Sequence, residues 1–81
     1  MIPYDWTDIG STHVRKVKFA PNPHDDRGDL LVEFSEGKVY KFSDVPANRV
    51  EHMVHHRSPG EYFQGYIRGH YLSSPMKAAK E

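Results

Sequence analysis

The chain of 81 residues contains no cysteine. Disulfide bonds and cysteine-ligated metal sites are therefore excluded, which is compatible with a reducing compartment. No stretch approaches the about 18 consecutive apolar residues of a membrane span, and the segment from Met1 to Trp6 lacks the basic and apolar regions of a signal peptide. We therefore expect a cytoplasmic protein that has no contact with a membrane.

Catalytic signatures are also missing. No serine lies in a nucleophile elbow, and no glycine-rich loop has the spacing that holds phosphates. His52, His55 and His56 could share one helix face, but Glu51 precedes them and no His-Glu-x-x-His motif is formed. The Asp-rich stretch 21–28 lacks the spacing of a calcium-binding EF-hand. We expect no catalytic residue, no metal or other cofactor, and no small-molecule substrate.

The formal net charge of zero conceals an asymmetry along the chain. Residues 1–37 contain four Lys or Arg and seven Asp or Glu, whereas residues 38–81 contain seven and four. A more basic second half favours a polyanionic partner. Ordinary surface variation is the competing explanation for so small a difference.

Three stretches alternate between apolar and polar residues as half-buried strands do. Their apolar positions are Val17 and Phe19, then Leu30, Val32 and Phe34, then Tyr40 and Phe42. Val14 is out of phase, which indicates either a bulge or a strand that starts after it. Ser35-Glu36-Gly37 is typical of a hairpin turn. The pattern predicts a three-stranded antiparallel meander with one apolar face.

Two helices are expected to follow this meander. Ser43 or Asp44 is a suitable N-cap, Pro46 suits the first turn, and an apolar stripe then continues to about Arg57. A second short helix is predicted to reach about Arg68. The stripes consist of Val50, Met53 and Val54, then Tyr62, Phe63, Tyr66 and Ile67. The expected fold is α+β with two short helices packed on one face of the sheet, an N-terminal arm (1–10), a domain (11–72) and a polar tail (73–81).

Four motifs occur in a characteristic order. They are Ser11-Thr12-x-Val14, Leu30-x-Val32-x-Phe34, the run from Gly37 to Pro46, and Ser58-x-Gly60-x-Tyr62-Phe63-x-x-x-Ile67-Arg68-x-x-Tyr71. Over residues 11–71 the chain therefore resembles the KTSC domain. That family is named for its occurrence at the C-terminus of some lysyl-tRNA synthetases and is also seen as stand-alone bacterial and phage proteins. Phe42 replaces the second tyrosine of the family's Tyr-x-Tyr, and Gln64 replaces an asparagine.

The synthetase context of this family suggests RNA binding, so we expect a small non-catalytic binding module whose ligand is RNA, tRNA included. Exposed cations would meet phosphates. The candidates are Lys38, Lys41, Arg49, Arg57, Arg68 and His70. The alternative is a protein-interaction module, such as a phage or bacterial regulator of a host enzyme. It would use Trp6, Tyr62, Tyr66 and Tyr71, although several of these rings could simply belong to the core.

Overall fold

Five antiparallel strands form one sheet in the order of the chain, and two short helical segments pack on it. The computed structural model describes residues 4–76. The strands are β1 (Thr7–Asp8), β2 (Val14–Pro21), β3 (Arg27–Phe34), β4 (Val39–Pro46) and β5 (Ser73–Met76). Helix α1 is Ala47–His55, and helix α2 (Pro59–Tyr62) continues as a π-helix, Phe63–Ile67. Within the described residues, no helix is both long and apolar enough to cross a membrane.

The predicted three-stranded meander corresponds to β2, β3 and β4, but it undercounts the sheet. The N-terminal arm supplies β1 through Thr7 and Asp8, and part of the segment expected to be a polar tail supplies β5. Both added strands lie at the sheet edges and are short and exposed, so neither shows the alternation that identifies a half-buried strand. Residues 77–81 of the expected tail lie outside the described residues.

The alternation predicted for the three central strands is confirmed. Two cross-strand rows cover the apolar face, namely Val17–Val32–Tyr40 and Phe19–Leu30–Phe42. All six residues are buried or pack against the core. The register shifts between Val14 and Lys16, as the phase of Val14 indicated.

The helices cover this apolar face. Val50 and Met53 from α1 and Phe63 and Ile67 from the π-helix have no solvent exposure. Within residues 4–76 no helix covers the other face of the sheet, and the residues that alternate with the core positions are accordingly only half-buried. These include Lys16, Lys18, Leu31, Glu33 and Lys41.

The start of α1 differs from the expectation. Strand β4 continues through Pro46, so the helix begins at Ala47, and neither Ser43 nor Asp44 caps it. Asp44 instead has a φ of 63°, in the left-handed region that Asp tolerates better than most residues. The helix also ends at His55 rather than near Arg57.

Gly28 provides a test of the sheet packing. A methyl group at this position would overlap the Ala20 carbonyl oxygen and lie 2.8 Å from Pro21 Cα, and both are backbone atoms that cannot rotate away. We expect Gly28→Ala to lower the free energy of unfolding by about 1–3 kcal/mol in urea denaturation. At Gly65 no atom lies within 4 Å of the added carbon, so Gly65→Ala should leave stability unchanged or raise it by up to about 1 kcal/mol. Equal losses in both variants would contradict this account.

Candidate functional site

The principal concave feature is a trough where the β3–β4 turn meets the helical layer. Its central depression, about 350 Å³, is lined by His13, Phe34, Ser35, Glu36, Lys38, Tyr40, Phe42, Gln64, Arg68 and Ser73. A second depression of about 1030 Å³ is lined by residues 9–13, 57–61, Gln64 and Gly65. Both are lined by His13 and Gln64, so they adjoin each other, and we call the two together the trough.

The turn between β3 and β4 places Lys38 at this trough. The Phe34 amide donates to the Lys38 carbonyl and the Gly37 amide donates to the Phe34 carbonyl, both at 2.8 Å. Gly37 has a φ of 93°, which glycine adopts without steric cost. The Ser35 amide donates to the His13 carbonyl at 3.0 Å. This last bond holds the turn against the start of β2, so Lys38 and His13 line the same depression.

The π-helix forms the opposite wall. The Arg68 amide donates to the Phe63 carbonyl at 2.8 Å, which is the five-residue spacing of a π turn. The Arg68 guanidinium carbon lies 5.9 Å from the centre of the Phe34 ring, and its Nη1 lies 3.5 Å from Gln64 Oε1. Short π-helical segments are rare in proteins, but a large share of those that exist lie at functional sites.

The charge of the trough is mainly positive. Lys38, Arg57 and Arg68 line it together with two carboxylates, Glu36 and Glu61. Lys38 Nζ lies 3.5 Å from Glu36 Oε1, and both side chains are largely exposed, so this pair is weak. Within residues 4–76, neither Arg57 nor Arg68 forms an ion pair. The trough can therefore accept an anionic ligand at two uncompensated guanidinium groups.

Three of the six cations predicted to bind nucleic acid, Lys38, Arg57 and Arg68, line the trough. Lys41 and Arg49 lie elsewhere, and His70 contacts Gly65, which lines the second depression. Lys41 alternates with Tyr40 and Phe42 along β4, so it lies on the face of the sheet away from the helices. His70 Nε2 lies 3.0 Å from the Gly65 carbonyl oxygen, an acceptor for its N–H. Arg49 lies on α1 and contacts tyrosines. Nucleic-acid binding by any of the six residues stays a prediction.

Arg49 instead links the two helical segments. Its Nη1 donates to the Tyr62 hydroxyl at 3.1 Å, and its guanidinium carbon lies 5.6 Å from the centre of the Tyr66 ring. The hydrogen bond to Tyr62, followed by that to Tyr71, raises the pKa of Arg49 above its ordinary value. These contacts stabilise the charged form of Arg49, whose role is structural because it joins α1 to the second helical segment.

The residues predicted to bind a protein partner have different environments. Tyr62 is only 8% exposed and belongs to the core, so its ring is not available to a partner. Tyr71 is half-buried against the same core. Tyr66 is 55% exposed although its ring lies 4.6 Å from that of Tyr62. Tyr66 is thus the member of this group that presents the most ring surface.

Trp6 docks on its own domain. β1 pairs with β2, and Lys16 Nζ lies 5.4 Å from the centre of the Trp6 ring. The Tyr4 ring lies 6.4 Å from that of Phe19. Trp6 is still 38% exposed, but it shares the uncovered sheet face with Lys16. It therefore lies on a different surface from Tyr66.

Sequence reasoning missed His13 and Gln64 as residues of the site. No motif surrounds His13, and Gln64 stood out only as a departure from the family's asparagine. At the other end of the trough Gly60 is close-packed, since a methyl group on it would overlap Ser11 Oγ. Among the residues that the structure describes, no group of three His, Cys, Asp or Glu could hold a metal ion.

Comparison with known proteins identifies the fold. The family model of the KTSC domain matches residues 10–71. Among solved structures, the chain is similar to a KTSC domain protein from Yersinia pestis, with a TM-score of 0.76 and 22% sequence identity. That similarity covers 89% of this chain and 96% of the other. No curated protein matches the chain significantly.

The contact between Arg49 and Tyr62 can be measured with a double-mutant cycle. Arg49→Met and Tyr62→Phe each remove one partner of the hydrogen bond while keeping most of the apolar volume. We expect a coupling free energy of about 1 kcal/mol from urea denaturation. Arg57→Met combined with Tyr62→Phe is the control and should be additive within about 0.3 kcal/mol. Additivity in the Arg49 cycle would show that the bond contributes nothing to stability.

Proposed function

The chain belongs to the KTSC domain family, and on the basis of its trough we propose that it is a small non-catalytic module that binds RNA. The observation that supports this proposal is that Lys38 and Arg68 line one depression and Arg57 lines the adjoining one. These residues come from three separate segments of the chain. A cytoplasmic location, expected from the sequence, stays a prediction.

The chemistry of the trough suits RNA in two respects. Its cations can neutralise phosphates and release the counterions that surround them, which supplies most of the affinity in non-specific binding. Its uncharged polar residues can exchange hydrogen bonds with the 2′-hydroxyl and with base edges, the groups by which proteins recognise RNA. These residues are Ser11, Thr12, Ser35, Ser58, Gln64 and Ser73.

The salt dependence of binding tests this proposal. For a single strand, each phosphate contact contributes about −0.7 to the slope of log K against log salt concentration, where K is the association constant. With three contacts we therefore expect a slope of about −2. Replacing Arg57 and Arg68 by Ala should reduce the slope to about −0.7 and weaken binding at about 50 mM salt. The measurement is fluorescence anisotropy of a labelled RNA.

The matched control removes the same charge from the other face of the sheet. Lys18 and Lys41 are half-buried there on β2 and β4 and form no ion pair within the described residues. Their double replacement by Ala should leave the slope unchanged. Equal weakening in both double variants would mean that net charge, rather than the trough, governs binding. Absence of binding at about 50 mM salt would refute RNA as the ligand.

Protein binding is the second candidate, and the exposed Tyr66 favours it. Tyrosine rings of this kind anchor many protein interfaces. The surface first expected for this function is not continuous, however, because Trp6 and Tyr66 lie on different faces of the domain. If RNA binding fails, Tyr66→Ala is the variant with which to test a protein partner, because Tyr66 is 55% exposed.

A further inference from the structure

A third depression extends the trough toward β5. It has a volume of about 370 Å³ and is lined by Gly37, Lys38, Val39, Tyr40, Pro75 and Met76. Lys38 and Tyr40 also line the central depression. The three depressions therefore adjoin one another in sequence, from the Arg57 end through the middle to the edge strand. We call this row the path: Arg57 lines its first depression, Lys38 and Arg68 its middle one, and Lys38 also its third.

From this path we infer that the RNA ligand is a single strand lying along the trough, an inference that rests on the function proposed above. Each depression is of a size that holds small molecules, about 300–1,000 Å³. Such depressions admit individual nucleotides in succession but not the body of a duplex. Modules that bind double-stranded RNA instead span about 16 base pairs across two successive minor grooves.

The dimensions of the domain limit the length of the bound segment. Its longest extent is 30 Å, and a stacked strand advances roughly 3.4 Å per nucleotide. The trough therefore accommodates at most about nine nucleotides. Small single-strand binding folds contact about four nucleotides or more. The expected footprint is about four to nine nucleotides, whereas a segment of about 16 base pairs would extend well beyond the domain.

The central depression has the side chains that unpaired bases use. Phe34 and Tyr40 are half-buried at its floor with their rings edge to face, 5.6 Å apart. Aromatic side chains stack on bases with little dependence on sequence. Gln64 is exposed beside them and has both a donor and an acceptor for a base edge. In a duplex the bases stay stacked and paired. The two aromatic rings and the Gln64 amide would then have no free base to contact.

Labelled oligouridylates test the inference, because uridylate strands form no stable secondary structure of their own. Strands of about four, nine and eighteen nucleotides are compared with a duplex of about 16 base pairs. We expect the salt slope to increase with strand length up to about nine nucleotides and then to stay near −2. The duplex should bind at least about tenfold more weakly than the nine-nucleotide strand. Gln64→Ala should weaken single-strand binding about three- to tenfold without changing the salt slope, because it removes no charge.

The outcomes separate this inference from the function on which it rests. Duplex binding as tight as single-strand binding, with sensitivity to Arg57→Ala and Arg68→Ala, would overturn the single strand and leave RNA binding standing. A slope that keeps growing beyond nine nucleotides would also overturn the inference, because it requires contacts outside the trough. If no strand or duplex binds, both proposals fail together.

Discussion

Phe63 makes the contact on which the helical layer depends. Its ring is fully buried, with its centre 5.2 Å from that of Phe42 and 5.7 Å from that of Phe34. Truncating a buried phenylalanine to alanine lowers the free energy of unfolding by about 3–5 kcal/mol. That is a large part of the total for a typical domain, which is about 5–15 kcal/mol. Gln64 follows it directly and Arg68 closes the π turn that begins at its carbonyl. The wall of the trough is thus fixed by the same ring that joins the helices to the sheet.

The central strands could be predicted from the sequence because each has one buried face. Val17, Leu30, Val32 and Phe42 alternate with residues of the other face, which are polar except for Leu31. This period is specific to a half-buried strand. The edge strands have no such period, since Thr7–Asp8 and Ser73–Met76 are exposed throughout. Their position depends on backbone hydrogen bonds, to which every residue except proline can contribute as donor. The side-chain pattern therefore does not reveal them.

The candidate site was only partly predictable for a related reason. Lys38, Arg57 and Arg68 were identified as exposed cations, but nothing in the sequence shows that a turn, an interhelical connection and a π-helix end converge. The alternation of β4 did contain one usable signal. Lys41 stands between two core residues, Tyr40 and Phe42, so its side chain must point away from the face that the helices cover. That parity separates it from the arginines of the helical layer.

The sequence suggested that acidic and basic residues are divided between the two halves of the chain. In the structure, the clearer division is between the two ends of the sheet. The acidic loop between β2 and β3 holds Asp25 and Asp26, and the β3–β4 turn lies at the opposite end of β3. A strand of eight residues is about 26 Å long at roughly 3.3 Å per residue. The Debye length is about 8 Å at physiological ionic strength, so those carboxylates cannot neutralise the trough. A chain with no net charge can therefore present a local site for an anion, because screening confines each group's influence to its own end of the domain.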